Sequence, residues 1–312
     1  MVTPSGGATT ARTKMNGRNI SIVGAGPAGL MAAEYLAARG AHVTVYERMP
    51  SPARKFLMAG RGGLNLTHSE APANFIARYS GSAAPLVHAA VAAFPPSRLI
   101  DWANELGVAT FIGSSGRVFP KAMKASPLLR AWLRRLDSLG VELKTGWTWR
   151  GFADGPTQLV FEAPGGVERV DADAVLLALG GASWPRLGSD GAWFPILERA
   201  GIVLAPLQPS NCGVSISWSP HLAKHAGAPL KRIAITCGRF TQKGETVVTR
   251  DGLEGGAIYA LSPHIREALR TGPVRVTLDL KPDQTADTLA HQLERAPPKC
   301  STTTLLRKAA AL

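Results

Sequence analysis

Short apolar runs alternate with helix-spaced apolar positions at the start of the chain. Residues 20–23 form a β-branched run that ends at Gly24, a pattern typical of a buried parallel strand. Residues 28–39 are good helix formers and stop at a glycine. Residues 42–46 form a second apolar run. This order predicts a β-α-β unit within residues 19–47.

Helical and strand patterns are mixed in the segment that follows. Residues 54–68 are glycine-rich and are predicted to form a loop, and the segment at about 70–139 is predicted to be mainly helical, with a break at Pro95-Pro96. The amphipathic part, residues 126–139, is predicted to expose three arginines, Arg130, Arg134 and Arg135. Strands are predicted at residues 141–144, 159–163, 167–170 and 174–179.

The pattern changes after about residue 204, where apolar and polar residues begin to alternate. This alternation predicts a small antiparallel β unit with one helix at residues 263–269 and two further helical pieces separated at Pro297-Pro298. Its strands are predicted at residues 213–217, 232–237, 245–249 and 275–280. We therefore divide the chain into a disordered tail, an α/β domain and a β-rich second domain, at residues 1–18, 19–205 and 206–312.

Composition excludes several classes of protein. With 45% hydrophobic and 18% charged residues in 312, the chain is neither disordered nor a coiled coil. Its three cysteines form no CxxC pair, which argues against a disulfide scaffold and favours a reducing compartment, the cytoplasm. No apolar run reaches the roughly 18 residues that span a bilayer.

The net charge of +13 is the unusual feature of the composition. Such a charge is typical of proteins with an anionic partner, for example a nucleic acid or a phosphorylated ligand. The basic residues are scattered, however, with the densest groups at Lys121-Lys124 and in the helix at 126–139. This scatter favours a solvated surface with one anionic ligand site over a nucleic-acid interface.

A GxGxxG motif joins the first strand to the first helix. Gly24 permits a tight turn, Gly26 allows a diphosphate to approach the backbone, and Gly29 allows close packing of helix and sheet. The helix N-terminus then offers free N–H groups to the diphosphate. The motif consists of Gly24, Ala25, Gly26, Pro27, Ala28 and Gly29. Because it lies inside a β-α-β unit, it predicts a dinucleotide site.

Glu47 ends the second predicted strand, where a carboxylate accepts hydrogen bonds from ribose hydroxyls. Its negative charge disfavours a dinucleotide with a 2′-phosphate, because two anions would meet there. The neighbouring Arg48 weakens this inference slightly. A second glycine group, Gly60-Arg61-Gly62, has Asn65 in place of a third glycine. The sequence therefore predicts no separate nicotinamide domain of the usual kind.

Beyond this motif, the sequence resembles the HI0933-like flavoproteins, the BaiN or aminoacetone-oxidase type of FAD-dependent oxidoreductase. The resemblance covers most of residues 20–265. Its most specific part is the basic, glycine-rich loop at residues 54–67. The other similar segments are residues 24–33, Gly116-Arg117-Val118-Phe119-Pro120, residues 177–191, Gly244-Glu245 and residues 252–258.

The resemblance implies an FAD-binding Rossmann-type domain interrupted by an inserted β-rich domain. It assigns the GxGxxG motif and Glu47 to the ADP half of FAD, and residues 54–67 and 180–191 to the diphosphate, ribityl chain and flavin. Lys55 or Arg61 would neutralise the diphosphate, and Trp184 would stack on a ring. The remaining expected cofactor residues are Arg48, Gly60, Gly62, Asn65, Gly180 and Gly181.

Two departures from the family pattern affect this expectation. The family's Gly-Arg-Cys-Asn corresponds here to Gly62-Gly63-Leu64-Asn65, so any role of that cysteine is missing. The family chain also returns from the inserted domain to complete the flavin pocket, whereas this chain ends at Leu312. We therefore expect the inserted domain to be incomplete.

No other catalytic pattern competes with the flavin interpretation. His221 and His225 have helical spacing but no third ligand, so no metal site is predicted. Trp147, Trp149 and Trp193 are expected to serve in packing. With no evident acid or base, the catalytic residues stay unassigned, and hydride transfer is left to the flavin.

The sequence thus predicts an FAD-dependent oxidoreductase with a small-molecule acceptor and NAD(P)H as a candidate donor. Two alternatives stay open at this stage. One is a flavoprotein that binds or modifies RNA, and the other is a truncated remnant without catalytic activity.

Overall fold

The computed structural model describes residues 15–295 and 301–309. Two compact units divide the chain, Met1–Ala205 and Pro206–Leu312. The strands of the first unit are β1 (Asn19–Val23), β2 (His42–Glu47), β3 (Thr67–His68), β4 (Thr110–Ile112), β5 (Arg117–Pro120), β6 (Glu142–Thr145), β7 (Thr148–Phe152), β8 (Gln158–Ala163), β9 (Gly166–Asp171) and β10 (Ala174–Leu177). Its helices are α1 (Pro27–Ala37), α2 (Arg54–Ala59), α3 (Pro72–Ile76), α4 (Ala84–Ala93), α5 (Pro96–Glu105), α6 (Ala125–Ser138) and α7 (Phe194–Arg199).

A four-stranded parallel sheet with the order β10-β1-β2-β6 lies at the centre of the first unit. Ile20 pairs with Val43 on one side and with Ala174 on the other. β1 is therefore a central strand, and its residues 20–23 are all buried, as is usual for a strand of a parallel sheet. The predicted fold class is confirmed: a Rossmann-type parallel sheet with additional antiparallel sheets.

Helix α1 packs on this sheet, α6 packs on α1, and α5 contributes to the same main core. Leu30 and Ala33 of α1 are fully buried, as are Leu128 and Trp132 of α6. Trp132 packs edge-on against Trp102 of α5, with the ring centroids 4.8 Å apart. Two smaller antiparallel sheets, β3-β5-β4 and β7-β8-β9, complete the unit.

The second unit consists of a five-stranded antiparallel sheet and helices. Its elements are β11 (Val214–Ser215), α8 (Pro220–Ala223), β12 (Pro229–Cys237), β13 (Phe240–Thr249), β14 (Gly252–Glu254), α9 (Gly256–Leu269), β15 (Val276–Asp279), α10 (Ala286–Glu294) and α11 (Thr302–Ala309). The sheet order is β11-β14-β13-β12-β15. Ile235 and Ile258 are fully buried in a core that belongs to this unit alone. Pro297 and Pro298, the predicted break, lie outside the described residues.

Three local predictions need correction. The predicted loop at 54–68 begins with a helix, α2, because this segment packs on α6. Helix α9 begins at Gly256 rather than at residue 263, and Pro263 lies within it. The carbonyl of Tyr259, four residues before this proline, accepts a hydrogen bond from Ser262 Oγ at 2.8 Å instead. Arg135 is not on the solvent side, because it pairs with Glu34 at 3.0 Å.

Candidate functional site

A cavity of about 210 Å³ lies at the carboxyl ends of three parallel strands, β1, β2 and β10. Ligands of open α/β sheets bind at this edge. The lining residues come from the glycine turn, the ends of β2 and β10, helix α2 and the segments at 147–150 and 187–196. They are Val23, Gly24, Gly26, Pro27, Tyr46, Glu47, Arg48, Ser51, Ala53, Arg54, Lys55, Trp147, Thr148, Trp149, Arg150, Ala178, Leu179, Gly180, Leu187, Gly188, Ser189, Asp190, Ala192, Trp193 and Ile196.

The glycines of the turn have different surroundings. Gly24 has a φ of +105°, and a Cβ at this position would lie 2.4 Å from the carbonyl oxygen of Ala178. A Cβ on Gly29 would lie 1.9 Å from the carbonyl oxygen of Gly24. A Cβ on Gly26, by contrast, would meet nothing within 4 Å. Gly24 and Gly29 are thus required by the fold, whereas Gly26 keeps open the space before the N-terminus of α1.

Glu47 connects the end of β2 to this turn. Its Oε2 accepts a hydrogen bond from the Ala25 amide, and its Oε1 accepts one from the Met49 amide, both at 2.9 Å. Each carboxylate oxygen can accept a further bond. The backbone therefore holds the carboxylate in one orientation at the cavity wall, with acceptor capacity left for two hydroxyl groups.

Arg48 is held by Asp190, with Nη2 and Oδ2 2.8 Å apart. Burial raises the pKa of Asp190, but hydrogen bonds from the Ala192 amide and Arg48 outweigh it, so the pKa lies below its usual value. Asp190 is therefore charged at neutral pH. Because Arg48 is paired, the argument that Glu47 disfavours a 2′-phosphate becomes stronger.

Lys55 extends from α2 to Ser189. Its Nζ donates to Ser189 Oγ at 2.9 Å, and this hydroxyl donates to the Gly181 carbonyl at 2.7 Å. Ser189 is itself buried. The ammonium group is thus held in the cavity that Gly26 also lines, which is suitable for neutralising a bound anion.

Three buried N–H groups on residues that line the cavity have no acceptor among the described residues. They are Arg54 Nε, Trp149 Nε1 and Trp193 Nε1. A buried donor without a partner costs about 1–3 kcal/mol. These three N–H groups are themselves inaccessible from the cavity, so they lie behind its wall and do not face a ligand.

Aromatic side chains form another part of the wall. Tyr46 stacks on Phe161 with the ring centroids 4.4 Å apart, and Trp147 lies 5.2 Å from Tyr46. Lys144 Nζ lies 5.1 Å from the Trp147 ring. Burial raises the pKa of Tyr46, although a hydrogen bond with Ser21 opposes this effect. Tyr46 is therefore a neutral phenol at physiological pH.

The structure brings some of the predicted site residues together and leaves others apart. Those lining the cavity are Gly24, Gly26, Pro27, Glu47, Arg48, Lys55 and Gly180. Ala25 is buried behind it, and Gly29 packs against Gly24. Residues outside its lining are Ala25, Ala28, Gly29, Gly60, Arg61, Gly62, Asn65, Gly181 and Trp184. Their contact with a cofactor stays a prediction.

Packing explains where the segment after α2 lies. A Cβ on Gly60 would lie 2.4 Å from the Cβ of Ala125, at the start of α6. Asn65 lines a second cavity, of about 410 Å³, together with His68 and Tyr79. Trp184 is 54% exposed and pairs through its backbone with Ser189.

Sequence reasoning missed several residues of the cavity wall. Ser189 and Asp190 belong to the block at 180–191, which the resemblance assigned to the cofactor as a whole without singling out either residue. Trp149 and Trp193 were expected to serve in packing, and they also line the cavity. Their place in the lining depends on contacts between segments that are distant in the sequence, which no local pattern reveals.

The model of the HI0933-like protein Rossmann domain matches residues 18–277. The chain belongs to the HI0933-like family. This match confirms the resemblance carried by the GxGxxG turn and the loop at 54–67. The family and the fold indicate FAD as the cofactor, as the sequence predicted.

Two curated relatives and one solved structure resemble this HI0933-like chain. It is 27% identical over 289 residues to the 3-dehydro-bile acid delta(4,6)-reductase of Clostridium scindens, covering 90% of this chain and 69% of the relative. It is 25% identical over 292 residues to the ribosomal RNA dihydrouridine synthase of Haemophilus influenzae, covering 91% and 70%. The 3-ketosteroid-delta4-(5alpha)-dehydrogenase of Rhodococcus jostii RHA1, solved with 4-androstene-3,17-dione, has a TM-score of 0.52 at 16% identity, covering 83% and 65%. This last likeness supports the fold alone.

The described residues contain neither a membrane-spanning helix nor a cluster of metal ligands. No helix in residues 15–295 or 301–309 is long and apolar enough to cross a membrane. Within the same ranges, no group of three or more His, Cys, Asp or Glu side chains is placed to hold a metal ion.

Proposed function

We propose that this HI0933-like protein is an FAD-dependent oxidoreductase that transfers reducing equivalents to a small-molecule acceptor. The observation that carries the proposal is the joint placement of the glycine turn, Glu47 and Lys55 on one cavity. When bound, FAD supplies the hydride and electron transfer that the protein side chains lack.

The cavity residues would hold the ADP half of the cofactor. The N-terminus of α1 and the Lys55 ammonium face the diphosphate, and Gly26 leaves room for it. The Glu47 carboxylate accepts the ribose hydroxyl hydrogens. The side chains of Trp149 and Trp193 would form part of the wall beside the cofactor. These contacts bind and orient the cofactor, while the catalytic residues stay unassigned.

Titration of FAD into the apoprotein tests the site. Glu47→Gln should weaken binding about tenfold or more, because a hydrogen bond to a charged group contributes about 1.5–3 kcal/mol. Glu168→Gln is the matched control, since Glu168 is an exposed acid on β9. An unchanged Kd for Glu47→Gln, with the apoprotein fold intact by circular dichroism, would contradict the assignment.

Anaerobic reduction of the FAD complex tests the oxidoreductase class. We expect NADH or NADPH to bleach the visible flavin absorption, and an unsaturated acceptor to restore it. The likeness to a bile acid reductase supports reduction of a small molecule. A chain that binds no FAD at saturating concentration would refute this function and favour a non-catalytic remnant.

RNA is a second candidate substrate for the same flavin chemistry. The likeness to a ribosomal RNA dihydrouridine synthase and the net charge of +13 favour it. If this candidate is correct, an RNA rather than a small molecule should reoxidise the reduced complex.

A further inference from the structure

Two segments of the first unit contain basic but no acidic residues. Residues 48–69 contain three arginines and one lysine, and residues 106–136 contain four arginines and two lysines. The sequence separates these segments, so their charges appear scattered along the chain. Each segment alone is too sparsely charged to predict a polyanion site.

The tertiary structure packs the two segments together. Strand β3 pairs with β5, placing Thr67 opposite Val118. At the end of α2, Gly60 packs directly on Ala125 of α6. A Cβ on Gly63 would lie 2.6 Å from Cε of Met123. The two acid-free segments are therefore in direct contact with each other.

Five exposed cations of these segments define what we call the basic face. They are Arg61, Lys121, Lys124, Arg130 and Arg134. No salt bridge joins any of them to a carboxylate of the described residues. Elsewhere, exposed cations such as Arg150 and Lys243 do form such pairs. The cations of the basic face are thus available to a polyanion.

The dimensions of the basic face suit a nucleic-acid strand. Arg130 and Arg134 lie one turn apart on α6, about 6 Å at 1.5 Å per residue. That distance corresponds to about two nucleotides at a rise of 3.4 Å per phosphate. Among the described residues from Lys121 to Arg134, Met123 is the only exposed large apolar side chain, so this segment offers at most one side chain for insertion into a bilayer.

We propose that the basic face binds the phosphate backbone of RNA. The proposal rests on the second candidate function and assigns it a surface. Arg61 lies two residues beyond the end of α2, the helix that carries Lys55 of the cofactor cavity. A strand held by the basic face would therefore pass near the cofactor. The exposed side chain of Phe111, which packs against Phe119 of β5 at 5.8 Å, offers an adjacent platform for a base.

Fluorescence anisotropy with a labelled single-stranded RNA of about 12 nucleotides tests the proposal. The variant K121Q/K124Q/R130Q/R134Q should lower the affinity at least tenfold. It should also make the slope of log K against log salt less steep by up to about 3. Each phosphate that is no longer neutralised accounts for about 0.7 of that slope. The control K224Q/K231Q/R250Q/R275Q likewise removes two lysines and two arginines, here from exposed positions of the second unit.

The outcomes separate this inference from its alternatives. Loss of affinity in the first variant alone supports the basic face, whereas equal losses in both variants overturn it in favour of net charge. Absence of RNA binding, or binding only to phosphatidylserine vesicles, also overturns it. FAD titration of the same preparations should give the wild-type Kd. Absence of RNA binding with intact FAD binding therefore counts against the basic face and not against the flavin site.

Discussion

Gly24, Gly26 and Gly29 belong to one turn, yet the fold requires only two of them, Gly24 and Gly29. Gly24 combines a left-handed backbone with close contact to the Ala178 carbonyl. Gly29 has no room because the Gly24 carbonyl lies above it. Gly26 has a φ of −77° and open space before it, so the fold alone would accept an alanine there.

Alanine at Gly24 and alanine at Gly26 should therefore affect different properties, the stability of the fold and the binding of FAD. Gly24→Ala is expected to destabilise the fold by about 3 kcal/mol, because strain and a backbone clash add together. Gly26→Ala should change stability by less than about 1 kcal/mol but weaken FAD binding at least tenfold. Urea unfolding of the apoproteins and FAD titration measure the two effects. Normal FAD affinity in Gly26→Ala would show that the diphosphate does not approach this turn.

Helix α6 shows how one element combines two roles. Its buried side carries Leu128, Trp132 and Leu136, and its exposed side carries two arginines of the basic face. Trp132 is almost fully buried, and its Nε1 has no hydrogen-bond partner among the described residues. The ring therefore contributes through packing rather than through a polar contact.

Substitutions of Trp132 should reflect this packing role. Trp132→Ala should lower the free energy of unfolding by about 3–5 kcal/mol. Trp132→Phe should cost only about 1 kcal/mol, because it keeps most of the ring and removes an unsatisfied N–H. Trp184→Ala, at a position 54% exposed, should stay within about 0.5 kcal/mol of wild type. An equal loss in the phenylalanine and alanine variants would indicate that the indole N–H has a partner.

Each of the two units has a core of its own. The first core lies against the parallel sheet. In the second core, α9 packs against strands β12 and β13 of the antiparallel sheet. Cys237 lies in the second core and is 4% exposed, while Cys212 is partly accessible. Thiol reactivity therefore reports on the integrity of the second core.

A thiol-specific reagent should distinguish these cysteines in a Cys300→Ser background. We expect one equivalent, from Cys212, to react in the native protein and the second only after denaturation. The variant Cys212→Ser/Cys300→Ser should show no fast reaction. Rapid labelling of that variant would mean that the core around Cys237 opens readily.

Local patterns were sufficient for the β-α-β unit. The apolar run of β1, the glycine turn and Glu47 lie within residues 19–47, where chain stereochemistry and neighbouring backbone contacts determine the geometry. The same reasoning predicted four of the five strands of the second unit, but it began β13 five residues too late and missed β14. It placed the start of α9 too late, because Gly256 and Pro263 both act locally as helix breakers, whereas burial of Ile258 and Leu261 stabilises the helix.

Longer-range features depend on packing between distant segments. Lys55 contacts Ser189, Arg48 contacts Asp190, and Arg135 contacts Glu34. The two residues of each pair are far apart in the sequence, so no local pattern predicts the contact. The cavity wall and the basic face arise in the same way, from helices and loops that share a surface only after the sheet has formed. Local spacing thus specifies the dinucleotide-binding motif. The packing of apolar surfaces from segments that are distant in the sequence decides which charged and polar groups surround that motif.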